Sequence, residues 1–143
     1  MQAVHVTRIG EPEVLQPVTI TRPSPSSGEA LIKLTYSSVN FNDFMERTDY
    51  FHHEGDPVRE VPFVLGNEGV GVVEAVGADV TQVKVGERVG FVELLTRASA
   101  VFNAYRKAWI KPQIANVLPL SQAAEAHRLL EAKSRIGKLL LKP

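Results

Sequence analysis

The chain has 143 residues, 44% of them hydrophobic, and 16 basic against 16 acidic side chains, so its formal charge is zero. A globule of this length can bury roughly two thirds of its unfolded surface, enough for a single domain with its own core. The absence of cysteine excludes disulfides, thiolate catalysis and cysteine-ligated zinc, and the balanced charge gives no global field to draw in nucleic acid or anionic lipid.

Residues 2–7 and 14–21 read as two short strands joined through Gly10-Glu11-Pro12-Glu13, an antiparallel pair. A polar loop, Pro23 to Glu29, precedes a strand over Ala30–Val39, in which Lys33, Thr35 and Ser37 alternate with Ile32, Leu34 and Tyr36. Asn42 to Arg47 predicts about one helical turn, and Asp49 to Pro62 a surface loop. Val70–Val76 and Glu87–Val92 are strands, with a turn at Val85-Gly86-Glu87. Beyond Leu94 the texture changes: Leu95, Ala98, Phe102, Tyr105 and Trp109 recur at helical spacing, and Pro112 stops that helix. A strand over Ile114–Leu118, a helix over Gln122–Ala132 capped by Ser121 and a last strand over Ile136–Leu141 complete the chain. Short strands punctuated by turn residues every eight to twelve positions form the pattern of a barrel or sandwich, so the fold class is mainly β with a few helices.

The charge is unevenly placed. Residues 1–92 carry a net −6 and residues 93–143 a net +6, as expected of two oppositely charged parts that pack together. The basic third has no aromatic-interleaved run and reads as a solvated helix face, with no nucleic-acid partner. No apolar run reaches membrane-spanning length, and Met1 to Arg8 lacks a basic stretch leading into an apolar one. The expectation is a cytoplasmic protein with no membrane contact.

A dinucleotide site needs a strand running into Gly-x-Gly-x-x-Gly, so that backbone approaches the pyrophosphate at a helix N-terminus. Gly66, Gly69 and Gly71 are the candidates here, but the third glycine would fall at Glu74 and a β-branched run follows in place of a helix. They read as bends and close packing along a strand, and no Rossmann domain or bound cofactor is expected. His52-His53-Glu54-Gly55-Asp56 reads as a solvated loop, because adjacent histidines point apart on extended chain, and no metal site is expected. Ser37, Ser38, Ser99 and Ser121 lack a nucleophile-elbow context, so a hydrolase is unsupported.

Three stretches carry a family likeness: Ser38-Val39-Asn40-Phe41-Asn42-Asp43; Asn67-Glu68-Gly69-Val70-Gly71 running on to Val83-Lys84-Val85-Gly86-Glu87-Arg88-Val89; and Leu118-Pro119-Leu120-Ser121 through Glu131, with Gly137-Lys138 near the end. The chain resembles the zinc-independent quinone oxidoreductase branch of the medium-chain dehydrogenase/reductase superfamily. The resemblance implies a catalytic domain built as a barrel of the kind seen in the GroES co-chaperonin, with 1–92 following its N-terminal part and 93–143 the C-terminal return segment, together one domain over 1–143. Between Val92 and Leu94 the family's nucleotide-binding domain, roughly 100–200 residues, has no counterpart.

In intact family members NADPH passes hydride to a quinone or enone in the cleft between the two domains. The resemblance assigns Asn40 an amide contact to nicotinamide or substrate carbonyl and Asp43 a hydrogen-bonding role beside it; both residues also read as caps of the helical turn at Asn42. Many relatives have tyrosines two and eight residues beyond this aspartate, where this chain has Met45 and Phe51, so Tyr50 becomes the substitute donor. Asn67 stands where zinc-dependent cousins have histidine, and Glu68 matches the family glutamate, so Met45, Tyr50, Asn67 and Glu68 are the implied cleft residues. The function expected is the substrate side of an NADPH-dependent quinone or enone oxidoreductase, inactive alone. The alternative is a non-catalytic β-barrel module that self-associates or binds a protein. Phe41, Phe44, Met45 and Phe91, with the stripe after Leu94, predict a homo-oligomer.

Overall fold

The computed structural model describes residues 1–57, 59–92, 111–132 and 136–143. The helix expected beyond Leu94, with Leu95, Phe102 and Trp109, lies outside them. Strands β1 (Gln2–Val6) and β2 (Leu15–Thr19) pair antiparallel, and the Pro12–Val14 turn between them is a single 3-10 turn. Strand β3 (Ala30–Val39) leads directly into helix α1 (Phe41–Thr48), which extends the turn expected over Asn42 to Arg47 by one residue at each end. Then come β4 (Phe63–Val64), too short to read from sequence, β5 (Glu68–Val76), β6 (Arg88–Val92), β7 (Ile114–Pro119), helix α2 (Ala123–Glu131) and β8 (Lys138–Lys142).

These strands form a three-stranded sheet, β2-β1-β4, and a five-stranded one, β6-β5-β3-β8-β7. The ladders reported are antiparallel except β7 with β8, which α2 connects as a parallel crossover. One face of the large sheet supplies Val39, Leu139 and Leu141 to a core shared with Val4, Val6 and Leu15 of the small sheet and Ala123, Ala126 and Leu130 of α2. Among the described residues the fold is mainly β with two α-helices, as expected.

Ser121 is not the N-cap of α2. It sits inside a 3-10 turn, Leu120–Gln122, that Pro119 introduces, and Ala123 N–H closes onto the Leu120 carbonyl, so Gln122 takes the cap position without a side-chain bond. The oppositely charged parts do meet: Arg128 pairs with Glu13 at 2.5 Å and Lys138 with Glu68 at 3.2 Å.

The join is deepest at Arg47, whose side chain is fully buried. Its guanidinium donates to the Gly10 carbonyl, to Glu131 Oε1 at 2.5 Å and from Nε to His127 Nδ1 at 3.3 Å. His127 is itself buried on α2, and its acceptor nitrogen satisfies the buried cation.

Candidate functional site

The end of β3 is where the large sheet brings distant polar residues together. Antiparallel register sets Ser37 opposite Gly69 on β5, and Val39 opposite Leu139 on β8. Glu68 therefore comes to Ser38 from one side and Lys138 to Asn40 from the other. Gly137, at φ +107°, makes the bend before Lys138; a Cβ there would stand 2.8 Å from the Gln113 carbonyl oxygen, so the bend is held to glycine.

The hydrogen bonds form a closed ring. Lys138 Nζ donates to Asn40 Oδ1, Asn40 Nδ2 donates to Ser38 Oγ at 3.2 Å, and Ser38 Oγ donates to Glu68 Oε2 at 2.5 Å. The Lys138 ammonium closes it 3.2 Å from Glu68 Oε2. Ammonium has no acceptor and an ionised carboxylate no donor, so every orientation between them is fixed: the amide oxygen must face Lys138 and the serine proton must point to Glu68. Burial works to raise the Glu68 pKa, but the hydrogen bond from Ser38, the nearby Asn40 amide and the charge of Lys138 outweigh it, and the carboxyl sits below its ordinary range.

Asn40 is also the N-cap of α1, and Asp43 Oδ2 accepts the Asn40 backbone N–H at 2.7 Å. The capping role read for Asp43 is therefore present. Its other oxygen, Oδ1, is buried with no hydrogen-bond partner among the described residues. Burial pushes the Asp43 carboxyl up to about 6, against the Asn40 N–H that favours the anion.

A cavity of about 490 Å3 opens beside this ring. Tyr36, Val70, Phe91, Val92 and Leu140 wall it, and Ser38, Glu68 and Lys138 close its polar end. Apolar walls with a few convergent polar groups are the usual make-up of a small-molecule site. Asn40 touches this end through Ser38 and Lys138.

Of the residues expected at the site, the structure unites Asn40, Asp43 and Glu68. Asn67 precedes β5, half-buried, and makes no hydrogen bond among the described residues. Met45 lies within α1 and Tyr50 just past its end, and the Tyr50 N–H bonds the Met45 carbonyl at 2.9 Å. Tyr50 is 62% exposed and joins a row of rings: Phe41 on Phe44 at 5.1 Å, Phe44 to Tyr50 at 6.3 Å and Tyr50 to Phe51 at 5.2 Å. Ser38 and Lys138 are the site residues that sequence reading missed; the Ser38 to Asp43 stretch and the Gly137-Lys138 pair were the available signals.

The glycines do not form a phosphate cradle. Gly69 and Gly71 lie within β5, between β3 and β6, and a Cβ would meet Phe91 at 2.9 Å in the first and the Lys33 carbonyl oxygen at 2.2 Å in the second. That space is taken up by neighbouring strands, so these residues do not fit a dinucleotide. His52 and His53 each face a separate acid, Asp49 at 3.1 Å and Asp56 at 3.6 Å. Among the described residues no three His, Asp or Glu converge as a metal site, and no helix is long and apolar enough to cross a membrane.

Residues 26–108 match the model of the alcohol dehydrogenase GroES-like domain. The chain belongs to that family. An alcohol dehydrogenase of Rhizobium meliloti is 39% identical over 111 residues, which are 76% of this chain and 30% of that enzyme. The chain thus spans under a third of the length of this relative. A crystal structure of an NAD-dependent alcohol dehydrogenase superposes over all of both chains with a TM-score of 0.85 at 15% identity, a likeness of fold alone. Escherichia coli quinone oxidoreductase, solved with NADPH, matches 91% of this chain and half of its own with a TM-score of 0.57 at 19% identity.

Proposed function

We propose that these 143 residues are the substrate side of an NADPH-dependent quinone or enone oxidoreductase of the zinc-independent branch, requiring a nucleotide-binding domain that they do not contain. The observation that carries this is the apolar cavity closed at one end by Ser38, Glu68 and Lys138, on a fold shared with oxidoreductases. Apolar walls suit the body of a cyclic carbonyl compound, and a polar end that carries a cation suits its oxygen, where negative charge develops on reduction. The absence of cysteine and the presence of Asn67 where zinc-dependent cousins carry histidine favour the zinc-free reading over that of a zinc alcohol dehydrogenase.

The test is a titration of the isotopically labelled chain with 2-cyclohexen-1-one followed by NMR. Signals of Tyr36, Val70, Val92 and Leu140 should move together and saturate. Perturbations scattered over the surface, or confined to the row from Phe41 to Phe51, would count against the cavity.

That ring row supports a second reading, a module that self-associates. Phe41, Tyr50 and Phe51 are 55%, 62% and 66% exposed and contiguous, and such patches tend to find partners. Sedimentation at high micromolar concentration decides it: a dimer lost on Phe41→Ser/Phe51→Ser supports the reading, and a monomer throughout removes it.

A further inference from the structure

An ammonium has three N–H donors, and the ring uses two of those on Lys138, one to Asn40 Oδ1 and one to Glu68 Oε2. The third has no partner among the described residues, while the side chain lines the cavity and keeps 41% of its surface exposed. The other groups at this end are committed. The Ser38 proton goes to Glu68, the Asn40 amide is held between Lys138 and Ser38, and Glu68 only accepts. A ligand oxygen entering here can obtain a strong hydrogen bond from one group.

We propose that Lys138 is the residue that binds the carbonyl oxygen of the ligand in this cavity, with Asn40 and Glu68 as positioning residues that hold its ammonium in place. The inference rests on the cavity being the substrate site. It deepens that reading by naming the contact atom, Lys138 Nζ, and by making the ligand's contact atom an acceptor oxygen, as the carbonyl of a ketone, enone or quinone supplies. Asn40→Ala then acts through Lys138 and not by losing a contact of its own. Lys138 is also held to Glu68 by charge, so the site keeps its cation without attracting anions strongly from solution.

The experiment compares 2-cyclohexen-1-one with 1-methylcyclohexene, a hydrocarbon of similar size, on the 143-residue chain. The enone should bind about tenfold more tightly, a ratio typical of one charge-assisted hydrogen bond. The ratio should fall to about one in Lys138→Met and be largely restored in Lys138→Arg, which keeps the charge and the donors. In the unaltered protein, the Lys138 Cε–Hε signal should shift on adding the enone and stay still on adding the hydrocarbon; this readout holds even if Lys138→Met fails to fold. Equal binding of both compounds in the cavity with an unmoved Lys138 signal overturns the inference and leaves the cavity reading intact. No perturbation of the cavity by either compound overturns both.

Discussion

Lowering the pH from 7 to 4.5 sets two buried groups against each other. His127 accepts the Arg47 Nε–H at Nδ1, so protonating that nitrogen breaks the bond and places a second cation beside a buried guanidinium. Burial first, and then the Arg47 charge, lower His127 from 6.5 to about 4. Below the ordinary histidine range the unfolded chain therefore takes up a proton that the folded chain refuses, and stability falls on acidification. Asp43 does the reverse: raised by burial from 3.8 to about 6, it binds its proton in the folded state before the unfolded chain does, and stability rises on acidification. Linkage makes each effect about 2 kcal/mol between pH 7 and 4.5, so the unaltered protein should show little net change over that range. Asp43→Asn should leave the histidine unopposed, with stability falling by about 2 kcal/mol on acidification, whereas His127→Gln should leave the aspartate unopposed, with stability rising by a similar amount. The double variant should again be nearly flat. Urea unfolding followed by circular dichroism at several pH values measures this, and the low-lying carboxylates Glu13 and Glu68 cancel because all four proteins share them. Parallel profiles for the two single variants, or slopes of opposite sign to these, would refute the assignment.

Arg47→Met removes a buried cation from three partners and should cost about 3–5 kcal/mol; a loss under about 1 kcal/mol in the urea midpoint would show that the network is not holding α1 to α2. Gly77→Ala should destabilise by more than about 3 kcal/mol or prevent folding, since its Cβ would lie 1.7 Å from the Ser26 carbonyl oxygen. Gly86→Ala meets no atom within 4 Å and should cost only about 1 kcal/mol, through its φ of +91°; equal losses in thermal melts would contradict the packing described. Millimolar NADPH should leave the melting temperature of the chain unchanged, and a rise competed by NADP would mean that a dinucleotide site exists among these residues.

What could be read from sequence was what depends on neighbours along the chain. Alternation in Ala30–Val39 and the β-branched run after Glu68 give β3 and β5, and Asn40 and Asp43 announce the start of α1. The Ser121 cap failed because proline and a 3-10 turn took over the local bonds. The site was half legible. Asn40, Asp43 and Glu68 sit in motifs, and so does Ser38, but its part shows only when the β3–β5 register brings Glu68 to it, and Lys138 reaches Asn40 only through the β3–β8 register, across 98 positions of sequence. Arg47 was invisible for a related reason: an arginine on a short helix is ordinarily solvated, and only the folded arrangement of Gly10, His127 and Glu131 makes its burial tolerable.

If this chain holds the substrate half of an oxidoreductase, a supplied nucleotide domain should make it active. This is tested most directly by inserting between Val92 and Leu94 the segment of Escherichia coli quinone oxidoreductase that runs from the end of its barrel through its nucleotide domain. The chimera should reduce 1,4-naphthoquinone with NADPH, and Asn40→Ala in it should lower kcat/KM by roughly tenfold or more, about 1.4 kcal/mol of transition-state stabilisation, with NADPH affinity changed only a few-fold. A folded chimera that binds NADPH yet reduces no quinone, or does so equally well with Asn40→Ala, would contradict the claim.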